Sequence, residues 1–397
     1  MNRTALVCTS IVSLALTGGA LLLAGPLDPP AGPVTSTYKT LTEVEPRTAI
    51  NLTNTPGDAD SLFKITQPGS YYLTGNITGV VGKHGIEIAA RGVTLDLMGF
   101  DLSGVVGMGA FDGVTTTAAA PALRNIAVLN GSIRNWGGDG VDLLTFAAPH
   151  ARLVAIQASD NAQQGIQVAS ATILIDCAAY TNLGHGISVI DACSLTGCTA
   201  SSNGVWGILA QTGCSMVNCS ASANGNDGIN ALSSCSLLNC TAYNNAVAGI
   251  SAFNGASISN CSAFGNTLDG IYAGIGSTVV GCTAQLNGRA GIQCESDSLI
   301  RGNTCDFNTV YGINATDERN RIEGNSCTRN ARGIEMNMAH NVIIRNTCSG
   351  DGTHWIFPAN NVFGPIIDRR APGSPAVTGF AAPGTMGTTD PNANFSY

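Results

Sequence analysis

Ten positions, each just before a Gly-Ile or Gly-Val dipeptide, hold the most varied chemistry in this chain. They are Asp139, Gln164, His185, Trp206, Asp227, Ala248, Asp269, Ala290, Tyr311 and Arg332. Asp227 and Asp269 fall two units apart in this series. If each unit is one layer of stacked strands, at about 4.8 Å per layer, their carboxyls lie about 9–10 Å apart. That is the upper end of the separation at which one carboxyl protonates a leaving oxygen while the other activates water. Such a pair also needs surroundings that raise one of the two pKa values, and no obvious desolvating neighbour supplies them. An Asp before Gly is equally an ordinary turn residue. Trp206 and Tyr272 offer flat rings beside the strip, suited to the apolar faces of sugars, and Tyr243 and Phe264 form a second outward pair. His185, Trp206, Tyr272, Arg289, Tyr311 and Arg332 are the candidate ligand-binding residues, with Arg289 and Arg332 suited to act as a base or to clamp a carboxylate. Asp317, Glu318 and Glu323 are the densest acids, but Arg319 and Arg321 interleave with them. That segment reads as a salt-bridged surface loop, whereas calcium wants several clustered acids. No Cys-x-x-Cys pair occurs and no His stands beside a Cys, so no metal site or cofactor is expected.

The elements that position this strip are read from a repeat. The Gly dipeptide recurs from Gly140 to Gly333, first after 25 residues and then every 21, with an Asn column beside it from Asn135 to Asn330. A fixed period of this size means a solenoid or array. One unit, GISVIDACSLTGCTASSNGVW, holds three short alternating segments, and alternation argues strands. Three strands per 21-residue turn make a parallel β-helix of about 10–12 rungs. Leu174, Leu195, Met216 and their successors form one inward stack, the Ile after each Gly a second, and Ala179 to Ala284 a third, continued by Cys305, Cys327 and Cys348. A column of Asp176, Gly197, Asn218, Asn239, Asn260, Gly281, Gly302 and Gly324 holds residues that tolerate the left-handed backbone, as a tight bend requires. Cysteines fall in two columns, Cys177 to Cys282 and Cys193 to Cys235. In-register parallel side chains do not readily reach the torsion of a disulfide, so most read as free buried thiols.

The 397 residues carry a net charge of −8, and only 11% are charged, against about 25% in an average soluble protein. With 44% hydrophobic residues, disorder is excluded. With 18 basic against 26 acidic residues, nucleic acid is not an expected partner. Residues 1–25 have one Arg before a long apolar run and read as a secretory signal, with no further membrane segment. The chain is thus expected to be secreted, periplasmic or at the cell surface. Residues 26–60 read as a linker and approach, 61–349 as the β-helix with its N-terminal cap, and 350–397 as a C-terminal cap or tail. Residues 105–123 look like a loop thrown out of the stack, and DLLTFAAPHA after Val141 like a second bulge.

Residues 83–349 resemble the right-handed parallel β-helix proteins of the pectate-lyase-like superfamily. The start, PGSYYLTGNITG and GIEIAARGVTLDLMGFDLSG, and the end, GTHWIFPANNVFGPIID, resemble a group of exported bacterial β-helix repeat proteins. The resemblance implies the fold, and a tendency towards polysaccharide binding, lysis or hydrolysis. A local match is to polygalacturonases, whose Asp-Gly-Ile-Asp, Asp-Asp-Cys and Gly-His-Gly-Ile-Ser turns lie on successive rungs. Here the rungs read Asp139-Gly140-Val141-Asp142, then Gln163-Gln164-Gly165-Ile166, then Gly184-His185-Gly186-Ile187-Ser188. Gln163 and Gln164 stand where that family has its carboxylates, so a site of that kind is dead or changed. Three readings follow: a protein that binds an extended polysaccharide or cell-surface glycan along one face, an enzyme using Asp227 and Asp269, or a ligand-free structural or adhesive solenoid. The oligomeric state is not legible.

Overall fold

The computed structural model describes residues 45–117, 123–144, 149–368 and 389–397. The expected signal, most of the linker, the middle of DLLTFAAPHA and residues 369–388 lie outside these. The described residues from Arg47 onward form one compact unit.

Each regular rung has three short strands, such as Ile187–Val189, Ser194–Thr196 and Thr199–Ser201. Every strand pairs in parallel with its equivalent one rung away, as Ile187 with Ile208, Leu195 with Met216 and Ala200 with Ala221. The three strand types build three faces, here called faces one, two and three in that order. Face one is a sheet of fourteen strands among the described residues, somewhat more than the repeat count suggested. The predicted columns all point inward: Leu174, Leu195, Ile187, Ile208, Ala200 and Cys198 are each no more than 1% exposed.

The corners explain the rest of the repeat. The bend column has positive φ throughout, from Asp176 at 52° to Gly324 at 65°, as its residue types predict. Two further left-handed columns exist, at residues such as Ala192 (57°) and Ser202 (56°). Neither stands out by composition, because their Gly, Asn and Asp (Gly213, Gly255, Asn244, Gly265) are mixed with Ala, Ser, Thr, Leu, Phe and Arg. Inside the third corner, the Asn column becomes a ladder. The Asn203 side-chain nitrogen donates to Asn224 Oδ1 (3.0 Å) and to the Ala179 carbonyl (3.1 Å). The Asn203 backbone N–H also donates to Asn224 Oδ1 (3.0 Å). The same set repeats from Asn161 to Asn308. This ladder is why Gly precedes Ile. A Cβ on Gly186 would stand 2.5 Å from Asn203 Nδ2 and 2.6 Å from the Gly207 carbonyl oxygen.

The cysteine columns occupy the other two corners and give way along the stack to the same polar type. Cys177 to Cys282 is continued by Asn303, Asn325, Asn346 and Asn394. Thiols donate weakly to carbonyls, as Cys214 does to Ile190 (2.9 Å). All thirteen thiols from Cys177 to Cys348 are free and buried, as expected.

The ends differ from expectation. Residues 105–123 are not one loop, because Val114–Thr116 is a face-one strand between Ile86–Ile88 and Val141–Leu143. The segment before it leaves the stack, and residues 118–122 lie outside the described residues. Thr48–Ala49, in the expected linker, already pairs with Tyr71 and Tyr72. At the far end the stack continues past Cys348. Thr353–Ile356 extends face one and Val362–Phe363 extends face two. Asn394–Ser396 then slides between Thr347–Cys348 and Ile366–Asp368 on face three.

Two outcomes follow. Asn245 is buried, receives two hydrogen bonds from Asn224 and donates to Ala221 and Asn266. Asn245→Ala should cost about 3 kcal/mol in urea unfolding, because it strands several buried partners. A thiol reagent should find none of the thirteen thiols in the native protein and all of them in denaturant.

A candidate active-site groove over the first rungs

Face one turns its outward side chains into a trough. Ser188, Asn230, Ser251 and Asn314 point out of the sheet yet are buried, because they are short and the flanking turns stand above them. At the N-terminal end the trough deepens into a groove of about 470 Å³. Its lining includes Asp60, His84, Glu87, Asp112, Asp139 and Asp142, with Thr115, Gln163, Gln164 and Gln167. Here the rungs are long. Gly85, Gly113, Gly140 and Gly165 are equivalent positions, spaced by 28, 27 and 25 residues rather than 21. The first of these long rungs carries Ala110 and Asp112 into the lining of the groove. The first two of these Gly positions precede the regular repeat, which is why sequence spacing missed His84, Glu87 and Asp112. The signal was present in His84-Gly85-Ile86-Glu87 and Asp112-Gly113-Val114-Thr115.

Six of the positions before a Gly share a task. There the side chain accepts the backbone N–H of the equivalent residue one rung on. His84 Nδ1 accepts from Asp112 (2.9 Å), Asp112 from Asp139 (2.7 Å) and Asp139 from Gln164 (2.7 Å). His185 accepts from Trp206 (3.4 Å), Asp227 from Ala248 (2.9 Å) and Asp269 from Ala290 (3.2 Å). The chemical variety of the strip is therefore largely a variety of acceptors.

This reassigns several expected roles. Asp227 is buried and also accepts from Asn230 (2.8 Å). Asp269 is buried and held by both the Nε and the Nη2 of Arg289. Neither lines the groove, so the two carboxylates are committed to closing rungs and are not poised as an acid and a base. Arg289 is spent on Asp269. Arg332 bonds Glu335 (2.7 Å) and sits over the Tyr311 ring, so neither arginine is a free clamp. Trp206 is stacked on His185 at 4.8 Å and 13°, and one ring face is thereby taken. Its indole Nε1 is buried without a partner. Burial holds His185 below the ordinary histidine range. The Tyr272 hydroxyl donates to Glu295, and its ring meets the Phe253 ring edge-on. Glu318 pairs with Arg319 and His340, and Glu323 with Arg321 and Arg345, which agrees with a salt-bridged surface.

The groove has a different electrostatic character. Asp139 is 4% exposed, and burial pushes its carboxyl up to about 7, with the Asp112 and Asp142 carboxylates adding to the rise. Asp142, on the adjoining strand, is buried and accepts the Leu144 N–H (2.8 Å). Glu87 is 6% exposed. Its Oε1 meets the Lys64 ammonium (2.9 Å), while Oε2 is buried with no hydrogen-bond partner. Asp58, Asp60 and Glu87 bring three carboxylates within 4.8 Å of one another, and Lys64 also bonds Asp58 (2.6 Å).

The raised Asp139 pKa has a stability consequence. Its folded value lies above the unfolded value of about 3.9, so the native state binds the extra proton between about pH 4 and 7. Stability therefore falls as pH rises through that window. Asp139→Asn should abolish this fall and raise stability above about pH 7 by about 2–4 kcal/mol, read from denaturant midpoints across pH.

Comparison with known proteins agrees with this architecture. The family model described as "Right handed beta helix region" matches residues 139–283 and 206–349. No curated protein matches the chain. Among solved structures, a mannuronan C-5 epimerase A-module of Azotobacter vinelandii is 17% identical, with 75% of this chain and 91% of that one covered at a TM-score of 0.45. A periplasmic alginate epimerase is 11% identical, with 79% and 78% covered and a TM-score of 0.38. Tailspike protein 3 of bacteriophage CBA120 is 12% identical, with 92% and 62% covered and a TM-score of 0.39.

Proposed function

Because the chain belongs to the right-handed β-helix family, we propose that its face-one trough binds a polysaccharide and that the groove at the N-terminal end hydrolyses it. One observation carries the reading: a buried carboxyl that keeps its proton to about pH 7, Asp139, shares the groove with a second buried carboxylate, Asp142. Environments that push two carboxyls apart in acidity mark an acid and a base. On later rungs the equivalent side chains touch, Gln164 with Gln167 (2.8 Å) and Asp227 with Asn230 (2.8 Å), so the two carboxyls stand side by side, nearer the short spacing of a retaining displacement than the long one of an inverting displacement. Asp139 would protonate the leaving glycosidic oxygen while Asp142 attacks the anomeric carbon, and water deprotonated by Asp139 would then hydrolyse the glycosyl ester and free Asp142. Gln163, Gln164 and Gln167 supply neutral donors and acceptors on the next rung. An extended ligand is favoured over a small one because the polar trough continues past the groove, with unpartnered buried atoms at Trp206 Nε1 and Asn314 Oδ1. The expected export of the chain is part of this proposal.

The test is a screen of uronate-rich, neutral and amino-sugar polysaccharides, read for new reducing ends and for unsaturated ends. New reducing ends without unsaturation are expected. Asp139→Asn and Asp142→Asn should each lower turnover by about 10²–10⁴ while retaining binding. Unsaturated products would mean elimination, and neither product nor binding on any polymer would remove the proposal in favour of a structural solenoid.

A further inference from the structure

The groove that reads as a hydrolytic site also has a charge preference. Five carboxyl residues line it, Asp60, Glu87, Asp112, Asp139 and Asp142, against the single basic residue His84. The His84 Nδ1 is turned to Asp112 alone, 2.9 Å from its backbone nitrogen and 3.3 Å from its carboxylate, which leaves the other four carboxyls without a basic partner in the lining. The nearby ammonium of Lys64 is already shared between Asp58 and Glu87. The second Glu87 oxygen is buried and receives no hydrogen bond, an arrangement that is costly until a donor arrives. Asp60 lies beside it, its carboxyl raised chiefly by a hydrogen bond to Asp58. A ligand carboxylate entering here would meet like charges on several sides. A ligand ammonium would meet acceptors.

We propose that the polymer bound in this groove is an amino-sugar polysaccharide, with one ammonium seated against Glu87 Oε2 and Asp60. The inference rests on the polysaccharide reading above and narrows its substrate class. A divalent cation is the competing occupant of Asp58, Asp60 and Glu87. The chain's own Lys64 argues against it, because a divalent ion bridging the three carboxylates would displace its ammonium from Asp58 and Glu87 Oε1, whereas a ligand ammonium needs only the unbonded Oε2 and Asp60.

The experiment is calorimetric titration of the full chain, at mildly acidic pH and low salt, with three tetrasaccharides: one of glucosamine, its fully N-acetylated counterpart and one of mannuronate. The glucosamine tetramer should bind about tenfold more tightly than the acetylated one. High salt should close that gap. Glu87→Gln should remove the preference and leave affinity for the acetylated tetramer nearly unchanged. Should Glu87→Gln fail to fold, the exposed Asp60→Asn should reduce the preference severalfold in a folded protein, as checked by circular dichroism. Equal or tighter binding of the acetylated tetramer overturns the amino-sugar assignment and leaves the groove reading standing. Mannuronate binding that appears only with added calcium also overturns it, in favour of a cation-bridged uronate. Binding of none of the three overturns both.

Discussion

The structure depends on one demand: a polar group at a buried corner must find its partner in the next rung. Stacked strands fix that partner about 4.8 Å away. Asn meets the demand because its amide carries both a donor and an acceptor. One side chain accepts from the rung before it, donates to the rung after it and reaches across to a carbonyl. Gly at the neighbouring position follows from the same contact, because the amide nitrogen occupies the space of a Cβ. So does the 21-residue period, since an insertion inside the corner would carry the amide out of register. The cysteine columns are a weaker version of the device, in which a thiol donates to a carbonyl and the rest of the corner is filled by apolar bulk.

Regularity of this kind leaves little room for chemistry. Where the rung is 21 residues long, His185, Asp227 and Asp269 in the column before each Gly are spent on accepting the next N–H, and the two carboxylates are closed off by Asn230 or Arg289. Chemistry is concentrated where the rungs lengthen, between Gly85 and Gly165. There Ala110 and Asp112 line the groove together with Asp139, and burial together with two neighbouring carboxylates holds its proton. The same column that seals the stack elsewhere becomes, with four to seven added residues per rung, a candidate proton donor.

The fold was legible because its determinants repeat. The inward columns, the bend column with its left-handed φ and the free thiols were each visible as periodic residue types. The two other left-handed columns were hidden because tertiary stacking imposes the conformation on Ala192 and Ser202, residues that do not announce it. The groove was only partly legible. Residues 105–123 stand out in the sequence as a loop thrown out of the stack, and Asp139, Asp142, Gln163 and Gln164 as a turn pattern on successive rungs. Asp227 and Asp269 drew attention instead because spacing alone says how far apart two carboxyls lie. It does not say what each is bonded to. His84, Glu87 and Asp112 escaped because their rungs do not share the common period.

The strand Asn394–Ser396 gives the stack a particular schedule. Its partner Asn346 lies 48 residues earlier in the chain, and Ile366–Asp368, which packs on its other side, is also made first. A chain that emerges N-terminus first leaves the edge at Thr347–Ser349 open until the residues up to Asn394 have followed it. An open parallel edge is a template for another chain. The rung that ends the solenoid is thus completed out of order, by a late strand wedged between two earlier ones. Its slot, lined by the Ile343 and Gly364 carbonyls that will receive the Asn394 amide, is the interval in the molecule's assembly most exposed to pairing with a stranger.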